Sequence, residues 1–185
     1  MIKEKIPTLY KGAGPGTHWH KKNACDGGFT PAANRPYTTN AVVDHIVHYS
    51  HPSPYISLTA SFAVARQYAL SGPDGTASDT NPGYVYEIDL SACNTTKLRI
   101  FNPIAEISKT GLAHEHNGDQ GLVLGVASST HESVLKTPVL QAGGRKAIPS
   151  ASTTLKALVN ALRDAEVLTG KVPASCIVNR LSVVN

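Results

Sequence analysis

Two hydrophobic patterns meet between Ser53 and Leu70. From Tyr55 to Thr59 the side chains alternate as they do in a β-strand. Beyond this strand four apolar residues recur at helical spacing, namely Phe62, Ala65, Tyr68 and Ala69. The period therefore changes from two to about 3.6 near Thr59, which predicts a strand followed by a helix. Thr59 and Ser61 are the candidate caps of that helix.

Similar patterns predict the other elements, which lie between stretches rich in glycine and proline. The predicted strands are Pro7–Tyr10, Tyr84–Ile88, Leu98–Phe101, Gly121–Ala127 and a last strand from Cys176 to Val184. The predicted helices are Asn40–Tyr49 and Thr153–Leu168, the second with an apolar stripe and with Gly170 as its stop. Short strands with few helices indicate an α+β fold in which a crevice lies between sheets.

The composition is that of a globular protein. The chain has 185 residues, of which 41% are hydrophobic and 16% are charged. This favours a single domain over residues 1–185. The first ten residues are too short and too charged for a signal peptide, and no apolar run reaches the length of a membrane span. We therefore expect a soluble, cytoplasmic chain without a membrane partner.

The charge leaves nucleic acid open as a partner. The formal net charge is +4 and the pI is about 9.0, and clustered cations gain affinity for RNA or DNA by releasing counterions from phosphates. The cations are dispersed along the sequence, however, and a mildly basic solvated surface has the same totals.

Neither a disulfide framework nor a metal site is indicated. The three cysteines, Cys25, Cys93 and Cys176, are odd in number and far apart, which favours buried free thiols. The histidines at 45, 48 and 51 recur every three residues, but no cysteines or carboxylates complete a recognised ligand spacing. The same spacing also fits one solvent-facing side of a helix.

Four segments occur along the chain in an order that suggests an activity. They are Leu9-Tyr10-Lys11-Gly12, Val43-Asp44-His45, Ser53-Pro54-Tyr55-Ile56-Ser57-Leu58-Thr59 and Gly83-Tyr84-Val85-Tyr86-Glu87-Ile88. In this order they resemble the ADP-ribosyltransferase toxins of the pertussis, cholera and pierisin type. The resemblance covers about the first two thirds of the chain. It implies an α+β fold in which two small antiparallel sheets form an NAD crevice, with helices at the periphery.

The resemblance also implies roles for particular residues. Lys11 stands where such toxins usually carry arginine, and with Gly12 it would hold the NAD phosphates, as a point charge in place of a bidentate fork. His45 would lie on the side of the nicotinamide ribose. Ser57 would bond the catalytic glutamate, Thr59 would share the face of Ser57, and Phe62 would touch nicotinamide. A solvated lysine and a helix-capping Thr59 remain the plain alternatives.

The catalytic glutamate of such toxins is missing from the segment that resembles theirs. In Asn117 to Leu124, Gln120 stands at its position. An amide supplies no negative charge to a developing cation, so a large loss of rate is expected. Gln120 has three possible explanations. It is an engineered Glu→Gln replacement, which we favour because the change is isosteric, or a natural inactivation. In the third explanation the alignment is shifted, and Asp119 or Glu115 is the carboxylate. Restoring glutamate at 120 should raise nicotinamide release.

Three functions follow from these observations. The first is a mono-ADP-ribosyltransferase that uses NAD as substrate and no metal, with a macromolecular acceptor. Arginine-modifying relatives carry glutamate at the position of Gly118 and guanine-modifying ones carry glutamine, so Gly118 does not identify the acceptor. The basic net charge alone mildly favours RNA or DNA as the acceptor. The others are an NAD glycohydrolase and a non-catalytic nucleotide-binding module. A toxin would also need an antitoxin or chaperone in its own host.

Overall fold

The computed structural model describes residues 8–47, 52–93, 98–108 and 153–185. Contacts divide the chain into two compact units. The first spans residues 1–31, 55–100 and 167–185 and holds most of a β-sheet. The second spans residues 32–54 and 101–166; its described elements are three helices and the strand residues Phe101 and Glu166. The expectation of one domain over residues 1–185 stays a prediction.

The described elements mix short strands with short helices. The strands are β1 (Leu9–Ala13), β2 (Ile56–Thr59), β3 (Ser71–Gly72), β4 (Gly75–Thr76), β5 (Gly83–Ile88), β6 (Ile100–Phe101), β7 (Glu166–Thr169) and β8 (Ile177–Val183). The helices are α1 (His18–Lys21), α2 (Thr39–Val47), α3 (Phe62–Ala69), α4 (Pro103–Ser108) and α5 (Thr153–Arg163). The α+β class is thus confirmed.

Six strands form one sheet in the order β6-β7-β2-β1-β5-β8, and β3 with β4 forms a separate hairpin. Strand β1 pairs antiparallel with β2 on one side and with β5 on the other. Lys11 lies opposite Tyr86, and Tyr10 lies opposite Thr59. The prediction of two small sheets is therefore correct only in part, because most strands join a single larger one.

The two faces of this sheet are covered differently. On one face Leu9, Ile56, Leu58 and Tyr86 belong to the main apolar core of the unit. The Tyr86 hydroxyl donates a hydrogen bond to the Trp19 carbonyl at 2.8 Å, which ties the segment after β1 to the sheet. Burial raises the pKa of Tyr86 above its usual value, although Arg180 nearby opposes this shift.

Helix α3 covers part of the opposite face. Its buried residues, Ala65 and Ala69, pack against Val85 and Tyr10. A Cβ atom at Gly12 would lie 2.0 Å from the carbonyl oxygen of Ala65. Only glycine at this position lets the helix backbone approach β1 so closely.

The close approach of α3 corrects one prediction. The apolar spacing of Phe62 and Tyr68 along the helix, like that of Tyr55 in the strand, predicts that all three are mostly core. Tyr55 is buried, but Phe62 is 38% and Tyr68 is 45% exposed. The side of the helix that touches the sheet carries alanines, so the large residues turn outward.

In the second unit helices α2, α4 and α5 pack on one another through buried apolar residues: Val42, Val43, Ile46, Ile107, Ala157, Leu158 and Ala161. Helix α2 agrees with its prediction. Helix α5 does not extend to Leu168 as expected, because it ends at Arg163. Ala165 adopts a left-handed φ of 45°, which a helix cannot continue through, and Glu166 to Thr169 then form β7.

The cysteine prediction was wrong. Cys93 and Cys176 form a disulfide with a Cα to Cα distance of 4.8 Å, and Cys25 is the free cysteine. The bond joins the loop after β5 to the turn before β8, where Asp89 also donates a backbone hydrogen bond to the Cys176 carbonyl. Because these two strands are neighbours in the sheet, residues 83 positions apart meet.

Among the described residues, no helix is long and apolar enough to cross a membrane. The predicted strand Gly121–Ala127 lies outside the described residues.

Candidate functional site

Strands β1 and β2 bring together the first and the third of the four segments, Leu9–Gly12 and Ser53–Thr59. The Lys11 ammonium donates a hydrogen bond to the carbonyl oxygen of Ser57 at 2.9 Å. The two residues are 46 positions apart in the chain, and both are partly buried. This bond therefore fixes the Lys11 ammonium at β2, the strand that carries the hydroxyl residues Ser57 and Thr59.

The side chains of β2 divide between the two faces of the sheet. Ile56 and Leu58 enter the main core, so Ser57 and Thr59 point to the opposite face. Tyr10, opposite Thr59, lies on the same face as Thr59. The prediction that Ser57 and Thr59 share a face agrees with this arrangement.

The turn from β2 into α3 is held by the predicted caps. Ser61 is the N-cap, and its hydroxyl accepts a hydrogen bond from the Val64 amide at 3.4 Å. The Thr59 hydroxyl accepts one from the Ser61 amide at 3.0 Å. Thr59 therefore stabilises the turn into the helix, as the helix-capping alternative proposed. It also shares the face of Ser57.

Phe62 stands at the start of α3 beside Tyr10. Their rings meet edge to face, with centroids 5.5 Å apart. Because Tyr10 and Lys11 are successive residues of a strand, they point to opposite faces. Phe62 is thus on the face of Ser57 and Thr59, and a partly exposed aromatic surface lies next to these hydroxyls.

Gly12 has a different role from the predicted one. Its Cα faces helix α3, where a side chain would meet the Ala65 carbonyl and the Cβ of Tyr68. The glycine is required by packing between strand and helix, and this accounts for it without a phosphate. Contact with NAD at Gly12 stays a prediction.

The structure adds a carboxylate that the sequence analysis missed. Glu166 is the first residue of β7, is only 8% exposed, and begins the strand next to β2. Its neighbour Val167 packs against the core that contains Ile56 and Leu58. By strand alternation Glu166 therefore points away from that core.

Glu166 was missed because the helical stripe of α5 was extended through it. One sequence signal marks the boundary. Asp164, Ala165 and Glu166 are followed by Val167-Leu168-Thr169 and then Gly170, a short run favourable for a strand that ends at a breaker. Reading that run as a strand would have placed a carboxylate at its start.

Two residues predicted to be catalytic, His45 and Gln120, lie outside the described part of the first unit. His45 lies half-buried on α2, in the second unit. Gln120 lies outside the described residues, as do Gly118, Asp119 and Glu115. Their predicted roles stay predictions. Within residues 8–47, 52–93, 98–108 and 153–185, no group of three or more histidine, cysteine or acidic residues has metal-binding geometry.

One face of the sheet carries a hydroxyl and an aromatic ring, those of Ser57 and Phe62, and β7 begins with a buried carboxylate, Glu166. The Lys11 ammonium is fixed on the opposite face, that of the main core. A carboxylate in a water-poor site stabilises a developing positive charge far better than it does in water. A lysine ammonium suits phosphate as a point charge. The buried carboxylate therefore suits a substrate that becomes cationic at a carbon during the reaction, and the ammonium suits one that carries phosphate.

A comparison with protein-family models places the chain in a family. Residues 17–124 match the model described as a domain of unknown function, DUF7587, which covers 108 of the 185 residues. The chain belongs to the DUF7587 family. The DUF7587 match includes β2, α3 and β5, whereas β1 and β7 lie outside it. Comparisons with curated proteins and with solved structures gave no match.

Proposed function

We propose that this DUF7587 protein is an NAD-dependent mono-ADP-ribosyltransferase in which Glu166 is the catalytic carboxylate. The observation that carries the proposal is the order of three neighbouring strands. Strand β7 begins with a buried carboxylate, its neighbour β2 carries Ser57, and β1, next to β2, supplies Lys11. A cation, a hydroxyl and a glutamate late in the chain are the groups that the resemblance requires, and Lys11, Ser57 and Glu166 would supply them.

In the proposed reaction the bond between the ribose C1′ and the nicotinamide nitrogen breaks. Nicotinamide leaves as a neutral molecule with the bonding electron pair, and the ribose acquires oxocarbenium character. The Glu166 carboxylate stabilises this charge and accepts a hydrogen bond from the ribose 2′-hydroxyl. An acceptor nucleophile then forms the new bond to C1′.

The other residues hold NAD and the carboxylate in place. Ser57 orients Glu166 from the adjacent strand, and Phe62 packs against nicotinamide with Tyr10 behind it. The resemblance assigns the NAD phosphates to Lys11, whose ammonium bonds to the Ser57 carbonyl from the other face of the sheet. Preorganised groups of this kind lower the barrier without reorganising during the reaction.

This proposal changes the significance of Gln120. If Glu166 supplies the negative charge, the chain needs no glutamate at 120, and the natural sequence is active. The two assignments make opposite predictions for two substitutions. Glu166→Gln abolishes the activity under our proposal and leaves it unchanged if position 120 is catalytic, whereas Gln120→Glu raises the activity only in the second case.

The test is nicotinamide release from NAD, measured by chromatography, together with transfer of label from adenine-labelled NAD. Glu166→Gln should lower the rate by about 10²–10³-fold, the range for loss of one preorganised electrostatic group. Glu87→Gln is the matched control, because Glu87 is a carboxylate of the same sheet that accepts a solvent-exposed hydrogen bond from Asn179. Release without label on any macromolecule would identify a glycohydrolase.

A further inference from the structure

Strand β8 is one of the two edge strands of the six-stranded sheet. It pairs with β5 on one side, and within the described residues no strand pairs with its other side. Strand β8 has seven residues, whereas β6 at the opposite edge has two. An unpaired edge presents backbone N–H and C=O groups to which another strand can bond. The outer side of β8 is therefore the longer open edge of the described sheet.

The devices that usually protect such an edge are missing from the middle of β8. Proteins use lysine, proline, a bulge or a charge that lies across the edge. No lysine or proline occurs between Ile177 and Val184, and the bulge lies at the start of the strand, before Asn179. The Arg180 guanidinium lies back over the sheet, with its central carbon 3.5 Å from the centre of the Tyr84 ring. The edge is therefore open to a partner strand.

Two valines make both ends of this edge apolar. Val178 is 52% exposed, and Val184, directly after β8, is 37% exposed. The Arg66 guanidinium donates a hydrogen bond to the Val184 carbonyl at 3.2 Å, which fixes this end of the chain beside the sheet. By strand alternation both valines lie on the face of Arg180. They are also equally far from Leu181, one three residues before it and one three residues after it.

This symmetry identifies a second copy of β8 as the partner strand. Two antiparallel copies can meet about a twofold axis at Arg180 or at Leu181. An axis at Arg180 sets two guanidinium groups directly opposite each other, and like charges in opposite positions are destabilising. An axis at Leu181 sets Leu181 opposite itself and Arg180 opposite Ser182. The same axis sets Val178 of each copy opposite Val184 of the other. Charge and apolar pattern therefore select the same register.

We propose that two copies of this chain associate through β8, antiparallel and with the twofold axis at Leu181, so that the two sheets continue into one another. The inference goes beyond the proposed transferase function and does not depend on it. Twofold dimers with identical surfaces at the interface are the commonest homo-oligomers. An interface of one strand pair is small, so the association is weak and depends on protein concentration.

The first experiment measures the mass of the protein by sedimentation equilibrium from about 10 μM to about 1 mM, the range that suits a weak interface. The mass should rise from that of one 19.5-kDa chain towards twice that value. Combining Val178→Lys with Val184→Lys should raise the dimer Kd about tenfold or more, because lysine would face lysine at two places. Ile100→Lys is the matched control, because Ile100 is 49% exposed on the opposite edge strand.

A charge exchange separates the pairing from a general effect of added charge. Replacing both valines by glutamate should weaken the dimer as the lysines do, because glutamate would face glutamate. An equimolar mixture of the lysine and glutamate variants should restore it, because each lysine of one copy would then face a glutamate of the other. Far-UV circular dichroism that matches wild type shows that the variants remain folded.

The second experiment tests the register by oxidising cysteine variants. Leu181→Cys should form a disulfide between copies, because Cα atoms directly opposite each other lie about 4.5–5.5 Å apart and a disulfide spans about 4.4–6.8 Å. Asn179→Cys is the control, because its two copies would lie four residues apart along the paired strands, about 13 Å. Wild type, whose free thiol is Cys25, measures crosslinking that does not involve β8.

Three results would overturn the inference. A monomer at every concentration would exclude the dimer. A dimer of unchanged Kd in the variant with both lysines would place the interface on another surface. Equal crosslinking of Asn179→Cys and Leu181→Cys would exclude the register.

Discussion

Gly12 has two competing explanations, close packing of α3 on β1 and contact with the NAD phosphates. The substitution Gly12→Ala distinguishes between them. An added Cβ would lie 2.0 Å from the carbonyl oxygen of Ala65, whereas ordinary contact begins at 3.4 Å. Helix α3 would have to withdraw by about 1.4 Å, and backbone cannot move away as a flexible side chain does. Overpacking of this kind costs about 1–3 kcal/mol, occasionally more.

The assay is thermal and urea unfolding, with Gly27→Ala as the control. A Cβ at Gly27 meets nothing within 4 Å, and its φ of −147° is open to alanine. Gly12→Ala should lower Tm by about 2–4 °C for each kcal/mol in a chain of this size. Gly27→Ala should stay within about 0.5 kcal/mol of wild type.

Two results would refute this reasoning. Equal stability of the Gly12 and Gly27 variants would mean that α3 does not rest on β1 as described. Unchanged stability of Gly12→Ala with weaker NAD binding would restore the original prediction that Gly12 contacts the phosphates.

Three further predictions concern the disulfide, the phosphate site and the core. Replacing Cys93 and Cys176 by alanine should lower the free energy of unfolding by up to about 4.5 kcal/mol, the loop-closure value for a separation near 83 residues; equal urea midpoints before and after replacement would contradict the pairing. Lys11→Met should raise the Kd for NAD, measured by calorimetry, about 10- to 100-fold, since a charged hydrogen bond contributes about 1.5–3 kcal/mol. Lys11→Arg should retain most of the affinity. The same Kd for Lys11→Met and wild type would exclude Lys11 from the NAD site. Burial raises the pKa of folded Tyr86 above 10.0, so its contribution to stability is complete below pH 10 and is lost as the pH rises through the folded pKa. Tyr86→Phe should therefore show a smaller decline of stability above pH 10. An unaltered slope of stability against pH in the alkaline range would argue against burial of the Tyr86 hydroxyl.

Local patterns predicted the part of the site that local interactions build. The change of period near Thr59 and the hydroxyl of Ser61 define where β2 ends and α3 begins, and the structure agrees. The aromatic and β-branched residues of β5 likewise identified a strand. These features depend on residues within one or two turns, so sequence spacing contains the information.

Tertiary contacts decided the features that were predicted wrongly. Cys93 and Cys176 meet because β5 and β8 are neighbours, and nothing in their spacing shows this. Phe62 is exposed because alanines let α3 approach the sheet. A left-handed Ala165 ends the stretch that helical periodicity seemed to continue, and only the sheet order brings Glu166 beside β2.

The central claim is that Glu166 is the catalytic carboxylate, and the most direct test is the rate of nicotinamide release by four proteins under identical conditions. These are wild type, Glu166→Gln, Gln120→Glu and the Glu87→Gln control. We predict that wild type, Gln120→Glu and Glu87→Gln release nicotinamide at similar rates and that Glu166→Gln is slower by about 10²–10³-fold. Unchanged release by folded Glu166→Gln, with a large increase in Gln120→Glu, would contradict the claim and assign the catalytic position to residue 120.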